Sequence, residues 1–282
     1  PSDIVARLMA PKMTAMLGQP VIVDNRPGAG GVTGVDVAAK AAPDGYTIGL
    51  GSAGGVAISP QLDRGTPYDP LRDLAPLTLG VLVPEPIVVS SATPYRTLQE
   101  LLVAARANPG KINQGSTGSG SLPHLAGELL KNATGIEMTH VPYRGSGPAA
   151  TDLIAGRVDV FFDNLPSILP HIRAGTVRAL AALSAERIPE LPDLPTFAEQ
   201  GVQGMVIDSW FGFMTPARTP PAAVAALNSA FNKAMETPAV RQRMQELALT
   251  PIGGTPEQMG AHIQSEVARW SDVVRRQGIR AE

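Results

Sequence analysis

Residues 111–132 read KINQ-GSTGSG-SLPHLAGELLKN: a short extended segment, a loop of glycine, serine and threonine, and a run of helical character. A strand that leads through such a loop into a helix forms a receptor for anions. Glycines let the backbone approach a ligand closely, and the free N–H groups and dipole of a helix N-terminus favour a carboxylate or phosphate. An ordinary strand-to-helix turn is the alternative reading of this segment taken alone.

The loop does not match either of two common nucleotide-binding motifs. No Gly-Lys-Ser/Thr follows, as a Walker A motif requires. Residues 118–120 are followed by Ser-Leu-Pro, without the third glycine of the dinucleotide fingerprint. The bound anion is therefore not predicted to be a nucleotide.

Around this loop the chain alternates extended and helical segments. Helical patterns cover residues 98–107, 121–132, 147–155 and 166–174, and extended patterns cover 111–114, 137–141, 158–162 and 177–183. Such alternation predicts βαβ units and a parallel sheet, in which ligands bind beyond the C-terminal ends of the strands. The 115–120 loop, residues 142–145 and residues 163–164 all follow predicted strands.

The two flanks of this regular block have a different character. Before it we predict a helix with Asp3 as its N-cap and strands at 21–23, 46–50, 77–82 and 87–90; after it, a strand at 205–214 and helices starting near residues 219, 240 and 256. The pattern predicts an α/β protein whose first lobe, residues 1–91 and 215–282, is discontinuous. The second lobe, residues 92–214, is inserted into it through two crossing strands, near 89–92 and 212–216.

Composition narrows the class of protein. Of the 282 residues, 44% are hydrophobic and 17% charged, the net charge is −2, and there is no cysteine. No basic stripe suggests nucleic acid or an anionic membrane, and disulfides, thiolate metal sites and cysteine nucleophiles are excluded. The absence of cysteine agrees with an exported bacterial protein, and since no signal peptide stands at the front, we expect that it was removed or omitted.

Eight segments, in order along nearly the whole chain, resemble the solute receptors of tripartite tricarboxylate transporters, the Bug receptors of Bordetella-like bacteria. They are DNRPGAGG (24–31), AAPDGYT (41–47), PYDP (67–70), PHLAGE (123–128), HVPYRG (140–145), FDNLPS (162–167), SWFG (209–212) and GGTPE (253–257). A single match has little weight, but eight in register are very specific to this family.

The resemblance implies a type II periplasmic binding protein fold, in which two α/β lobes close, like a flytrap, on a small carboxylate in the cleft between them. It implies a periplasmic monomer that delivers its ligand to membrane transporter subunits. Family members begin with a strand and a Pro/Gly-rich loop before the helix that opens here, so we expect the first lobe to lack its first strand in this sequence. Ser2 and Asp3 are then the remaining edge of that ligand loop.

The candidate ligand-binding residues lie at these strand ends and loops. The hydroxyls of the 115–120 loop are the strongest candidates. A carboxylate at residue 163 suits a ligand ammonium, a bound water or the N-cap of the next helix, and an arginine at 144 suits a ligand carboxylate or a pairing within its own lobe. We expect Trp210 either to pack in the core or to form part of the cleft wall. The candidates are Ser2, Asp3, Ser52, Ser116, Thr117, Gly118, Ser119, Tyr143, Arg144, Asp163, Asn164 and Trp210.

Other classes of protein are less favoured. There is no Gly-x-Ser-x-Gly elbow, and a triad of Ser116, His124 and Asp163 would place the histidine roughly 12 Å along its helix from the loop. The four histidines lack metal-ligand spacing, so we predict no metal, no cofactor and no catalysis. A transcription regulator of this fold would need a basic helix-turn-helix to bind DNA. A receptor that feeds a signalling partner instead of a transporter remains an alternative. We expect the ligand to be a small dicarboxylate or an acidic amino acid.

Overall fold

The computed structural model describes residues 1–63 and 65–280, and its contacts divide the chain into two units. Of the described residues, unit 1 comprises those within 1–82 and 210–280, and unit 2 comprises those within 83–209. Unit 1 is therefore discontinuous and unit 2 is inserted in it. These limits lie a few residues before those expected from the sequence, and the predicted lobe limits stay a prediction.

Strands and helices alternate through the described chain. The strands are β1 (Gly49–Ser52), β2 (Leu74–Val83), β3 (Pro86–Ser90), β4 (Ile112–Ser116), β5 (Met138–Pro142), β6 (Val160–Phe162), β7 (Val177–Ala182), β8 (Ser209–Pro216) and β9 (Thr250–Gly253). The helices are α1 (Ser2–Leu17), α2 (Val32–Ala39), α3 (Leu98–Ala107), α4 (Leu122–Thr134), α5 (Ser146–Ile154), α6 (Leu165–Arg173), α7 (Pro221–Glu236), α8 (Pro238–Glu246) and α9 (Pro256–Gln277).

Unit 2 is built on a five-stranded sheet in the order β5-β4-β6-β3-β7. Strand β4 is parallel to both β5 and β6, as the βαβ pattern predicts. Strand β3, which lies outside the alternating block, stands between β6 and β7 and is antiparallel to both, so the sheet is mixed.

The parallel strands of unit 2 place three helix starts at one edge of its sheet. Helices α4, α5 and α6 follow β4, β5 and β6 directly, and their N-caps are Ser121, Gly145 and Asn164. The core beneath them is apolar and includes Phe161, Phe162, Leu125 and other side chains with no exposed surface. These apolar side chains hold the sheet in place. The first residues of the three helices can therefore be polar without disturbing the core.

Unit 1 is built on a four-stranded sheet in the order β1-β8-β2-β9, with antiparallel pairing of β1 with β8 and of β2 with β9. The strand predicted at 21–23 is absent, and the one predicted at 205–214 begins at Ser209. Strand β9 was not predicted, because its four residues include a proline and a glycine and carry no apolar alternation.

Helix α1 begins differently from its prediction. Its N-cap is Pro1, which provides no side-chain cap, and Asp3 lies in the first turn. The Asp3 carboxylate accepts hydrogen bonds from Arg7 and from Asn25. The prediction of Asp3 as N-cap is therefore wrong, because its carboxylate joins two other side chains instead.

A buried carboxylate joins β8 and α9 in the core of unit 1. Glu266 accepts hydrogen bonds on one oxygen from the indole N–H groups of Trp210 and Trp270, each at 3.1 Å. Both tryptophans are fully buried.

In the part of the chain that the structure describes, no helix has the length and apolar character needed to cross a membrane.

Candidate functional site

The C-terminal ends of β4, β5 and β6 meet at one edge of the unit 2 sheet, which we call the strand-edge site. The register pairs Gly115 with Val141 on one side and with Phe161 on the other. The site consists of the loop at 116–121, residues 143–145, residues 163–164 and, as described below, Glu85. The sequence-predicted candidates of unit 2 therefore come together at one edge.

The hydroxyl of Ser116 shapes the loop from within. Ser116 is fully buried, and its Oγ accepts a hydrogen bond from the backbone N–H of Gly118 at 3.1 Å. The same oxygen lies 2.6 Å from Nε2 of His140. Gly118 has φ of 124°, which places it in the region that favours glycine. Ser116 and Gly118 thus set the course of the loop rather than present side-chain groups to solvent.

Thr117 and Ser119 are the outward-facing members of the loop. Both are half-buried, and neither their hydroxyls nor their backbone N–H groups have a hydrogen-bond partner within residues 1–63 and 65–280. The loop then enters α4, where Ser121 caps the helix by accepting from the N–H of His124. This part of the site offers donors beside a helix N-terminus, which suits a carboxylate.

Two stacked histidines support the loop. The rings of His124 and His140 lie 4.1 Å apart at an angle of 21°. Nδ1 of the buried His124 accepts a hydrogen bond from the backbone N–H of Gly120 at 3.2 Å. His124 thus makes a structural hydrogen bond, and the N–H of Gly120 is turned inward by it.

Residues 143 and 144 have different roles at the end of β5. The hydroxyl of Tyr143 donates to Asp152 at 2.7 Å, and Asp152 also pairs with Arg157. Burial and the Asp152 carboxylate raise the pKa of Tyr143 to about 12, so its hydroxyl stays a donor committed to Asp152. Arg144 is exposed and has no partner among the described residues, so its guanidinium is available to an anion.

A carboxyl cluster lies at the end of β6. Asp163 accepts hydrogen bonds from the Ser146 hydroxyl and from the backbone N–H of Asn164. The Asn164 side chain donates to Glu85 at 3.0 Å and to Ser209 at 2.9 Å. Burial raises the pKa of Asp163 to about 7, and burial together with the neighbouring Asp163 raises the pKa of Glu85 well above its ordinary value. The N-cap of α6 is Asn164, so Asp163 does not cap that helix.

Glu85 is the site residue that sequence reasoning missed. It stands between two prolines in the connection from β2 to β3, outside any motif. The pairing of Ile87 with Phe162 brings it beside Asp163, and it is only 1% exposed. A glutamate within an otherwise apolar stretch was the one signal in the sequence that could have marked it.

The unit 1 candidates lie in separate surroundings. Ser52 ends β1, and its hydroxyl accepts a long hydrogen bond from the N–H of Gly55. Ser2 is exposed at the start of α1, and hydrogen bonds from Asn25 and Arg7 lower the pKa of Asp3. The indole of Trp210 is engaged with Glu266 as described, an arrangement that favours packing over ligand contact. The ligand contacts predicted for these residues stay predictions.

The strand-edge site is suited to binding rather than to chemistry. Ser116 is hydrogen-bonded to His140 and not to His124, while Asp163 is engaged by Ser146. The three groups considered as a triad are thus not connected as nucleophile, base and orienting acid. Within the described residues, no three side chains of His, Asp or Glu come together in a way that could hold a metal ion.

Comparison with known proteins places the chain in a family. The family described as "Tripartite tricarboxylate transporter family receptor" matches residues 5–279. Protein BugT of Bordetella pertussis is 39% identical over 278 residues, which cover 98% of this chain and 85% of BugT. Matches of this extent cover both units and all parts of the strand-edge site.

Solved structures show the same fold. The R. palustris protein Rpa4515 with adipate has a TM-score of 0.94 and 37% identity, covering 99% of this chain and 93% of that one. MatC from Rhodopseudomonas palustris with bound malate has a TM-score of 0.93 and 33% identity, covering 97% of this chain and 94% of that one. The α/β architecture with two sheets is thus that of periplasmic binding proteins. These neighbours are solute-binding proteins and not enzymes.

Proposed function

Because this chain belongs to the tripartite tricarboxylate transporter receptor family and is a periplasmic solute-binding receptor of that type, we propose how it acts on its ligand. It binds a small carboxylate-bearing solute, its two lobes close on that solute, and it delivers the solute to a tripartite tricarboxylate-type membrane transporter. The ligand carboxylate is held by the donors of the strand-edge site.

The single observation that carries the proposal is the set of free donors on Thr117 and Ser119. Both residues stand at a helix N-terminus with no partner for hydroxyl or backbone N–H among the residues described. Two further helices, α5 and α6, begin at the same edge, and each N-terminus adds a partial positive charge. A carboxylate is the small ligand group that satisfies such a set best.

The relatives support a small acid as the ligand. Adipate and malate, the molecules named with two structures of similar chains, are both dicarboxylates. A second carboxylate would reach beyond the loop, where the exposed guanidinium of Arg144 is available to pair with it. We propose a dicarboxylate or an acidic amino acid as the solute.

Calorimetric and thermal-shift titrations test the binding step. The panel contains malate, adipate, succinate, aspartate and glutamate, with succinamide as the uncharged counterpart of succinate. We expect at least one acid to stabilise the protein, by about 2.7 kcal/mol at a hundredfold excess over Kd, and succinamide to be inactive. Absence of binding by every acid in an extended screen of organic and amino acids would overturn the proposal.

Variants of the loop test where the carboxylate binds. The double variant Thr117→Val and Ser119→Ala removes two hydroxyls and is expected to weaken binding of the identified acid at least tenfold without loss of folding. Ser271→Ala, which removes an exposed hydroxyl of α9, is the matched control and should bind as the unaltered protein does. Equal affinities of the unaltered protein, the double variant and the control would mean that these two hydroxyls do not contact the ligand carboxylate.

Closure and delivery are tested separately from binding. Small-angle scattering should give a smaller radius of gyration when the identified acid is added, since lobe closure compacts a receptor of this kind. Uptake of the radiolabelled acid by cells should require both this protein and the membrane subunits. An unchanged radius would contradict closure, and uptake that does not depend on this protein would contradict delivery.

A further inference from the structure

Unit 1 contains a cavity of about 440 Å³ that the proposed function does not use. Residues from three segments line it, within 39–43, 67–73 and 216–218, and all three segments belong to unit 1. The backbone N–H of Ala217 donates to the carbonyl of Asp73, which holds two of these segments together. None of the lining residues belongs to the strand-edge site, so this cavity needs a separate explanation.

Two of the eight family segments, AAPDGYT (41–47) and PYDP (67–70), come together at this cavity. Hydrogen bonds within unit 1 fix part of each segment. The Asp44 carboxylate accepts the backbone N–H of Tyr46, and the buried Tyr68 donates its hydroxyl to a backbone carbonyl. These bonds leave the side chain of Tyr46 81% exposed, so its ring is available to contact a partner.

The charged residues of the lining are mostly cations. Lys40, Arg72 and Arg218 line the cavity together with one acid, Asp73. Arg72 pairs with Asp73 and Lys40 pairs with Asp36, whereas the side chain of Arg218 has no hydrogen bond or ion pair within residues 1–63 and 65–280. Three cations against one acid, in a chain whose net charge is −2, favour an acidic partner.

The exposure of these cations favours a protein over a small anion as that partner. The side chains of Lys40 and Arg72 are 60% and 74% exposed. Exposed ion pairs contribute little, because water and salt screen them, so a free anion gains little here. A protein segment that covers the cavity excludes water from several charges at once. Arginine and tyrosine are also the residues enriched where protein interfaces bind most strongly.

The rest of the lining is largely apolar. It includes prolines at 43, 67 and 216 and alanines at 39, 41 and 217. The side chains of these residues offer no hydrogen bonds. Two further apolar side chains are half-exposed next to the cations, Leu71 beside Arg72 and Val37 one helical turn before Lys40. A partner that fits this surface therefore carries apolar side chains among its acids.

We propose that the cavity and its surroundings bind an acidic segment of a membrane subunit of the transporter, in which aspartate or glutamate accompanies apolar side chains. We call this region the basic docking surface, and it consists of Val37, Lys40, Tyr46, Leu71, Arg72, Arg218 and the apolar lining. The inference rests on the proposed function and names the part of unit 1 that serves delivery. Because no residue of the strand-edge site is included, changes here should alter delivery and leave ligand affinity unchanged.

Charge variants separate docking from ligand binding. Arg72→Gln combined with Arg218→Glu makes the surface less cationic, and glutamine can still donate to Asp73. Lys233→Gln combined with Arg241→Glu, at exposed positions of α7 and α8, makes the same change of charge and is the matched control. In cells with the membrane subunits, uptake of the identified radiolabelled acid should fall at least tenfold with the first pair and stay unchanged with the control. Calorimetry should give one affinity for the acid in all three proteins.

Direct binding of the receptor to the purified membrane subunits provides a second measurement. The affinity of the unaltered protein should fall as salt is added, since exposed charges are screened. The Arg72 and Arg218 variant should bind at least tenfold more weakly at low salt and depend less on salt. An affinity that is independent of salt would contradict the proposal.

A cross-link identifies the partner. Because the chain has no cysteine, Ala217→Cys carries a photo-cross-linker at the cavity alone, and Ala239→Cys, at an exposed position of α8, is the control. In membranes that contain the transporter, we expect position 217 to cross-link to an acidic segment of a membrane subunit, and position 239 not to do so. A cross-link to lipid, to a second copy of this protein or to a segment without acids would overturn the proposal.

The outcomes distinguish the docking surface from the function on which it rests. Equal uptake with the Arg72 and Arg218 variant and with the control overturns the docking surface and leaves ligand binding and delivery intact. A loss of uptake that is matched by a loss of ligand affinity also overturns it, because the defect then lies in ligand binding. Uptake that does not depend on this protein contradicts delivery, and the docking surface with it.

Discussion

At the residue scale, His124 links the loop of the strand-edge site to the protein interior. Its Nδ1 accepts the N–H of Gly120, and its ring stacks on His140, which bonds Ser116. We expect His124→Ala to remove the acceptor that Nδ1 provides for the buried N–H of Gly120, at a cost of about 1–3 kcal/mol. The loss of packing adds to this cost, and the loosened loop should bind the ligand carboxylate more weakly.

Urea unfolding and a ligand titration of the His124→Ala protein measure these two effects. His171→Ala, in the last turn of α6, is the control, because that side chain is half-exposed and carries no described bond. It should change stability by less than about 0.5 kcal/mol, as surface substitutions do. If both variants are equally stable and bind equally well, the histidine stack does not support the loop.

Single residues of the site were predictable only where they belong to a local sequence motif. The loop at 115–120 was identified from its glycines and hydroxyls, and its strand and helix are present. Which hydroxyls face outward was not predictable, because the burial of Ser116 depends on His140, which belongs to the next strand. Glu85 was missed for a similar reason, since the antiparallel entry of β3 into the sheet brings it to Asp163.

At the scale of elements, a glycine sets the distance between α4 and β4. A Cβ at Gly127 would clash with the side-chain amide of Gln114. The Gln114 amide is buried and donates to the carbonyls of Pro123 and Gly115. We expect Gly127→Ala to displace this amide and to destabilise the protein by about 1–3 kcal/mol, the usual cost of overpacking.

The control for this prediction is another helical glycine. A Cβ at Gly147, in the first turn of α5, meets nothing within 4 Å. Gly147→Ala should therefore be neutral or stabilise the protein by about 0.4–1 kcal/mol, since alanine restricts the unfolded chain. Equal unfolding free energies of the two variants in urea would show that the helix moves aside without cost.

Elements with local start signals were predicted well, and those that depend on distant pairing were not. Helix α3 has the predicted bounds, 98–107, because Thr97 and Glu100 form a capping box at its start. The strand expected at 21–23 depended on a neighbour that the local sequence cannot provide, and these residues form no strand. Strand β9 exists through its pairing with β2, which lies far away in the sequence.

At the scale of the whole molecule, the fold class followed from alternation and from the order of the family motifs. The alternating block between residues 97 and 183 predicted an α/β sheet, and unit 2 contains it. The direction of β3 and the burial of two acids at the strand-edge site required the assembled sheet. The ionisation of those acids therefore affects the stability of the molecule as a whole.

The two buried acids are expected to make the protein less stable as the pH rises. The folded-state pKa of Asp163, about 7, lies above its unfolded value of 3.8, and that of Glu85 is raised as well. The folded protein thus binds more protons than the unfolded chain between these values, and stability falls through this range. From pH 5 to pH 8 we expect Asp163 alone to contribute a loss of roughly 2–3 kcal/mol in the free energy of unfolding, to which Glu85 adds.

Urea unfolding at several pH values without ligand measures this loss. The carboxylates with lowered pKa values, such as Asp73 at about 2, stay ionised above pH 5 and do not contribute. The unaltered protein is compared with Asp163→Asn and Glu85→Gln, each of which should flatten the slope. Exposed Asp193→Asn, the control, should keep it. A slope that neither buried variant reduces would mean that the two acids are ionised and paired in the folded protein.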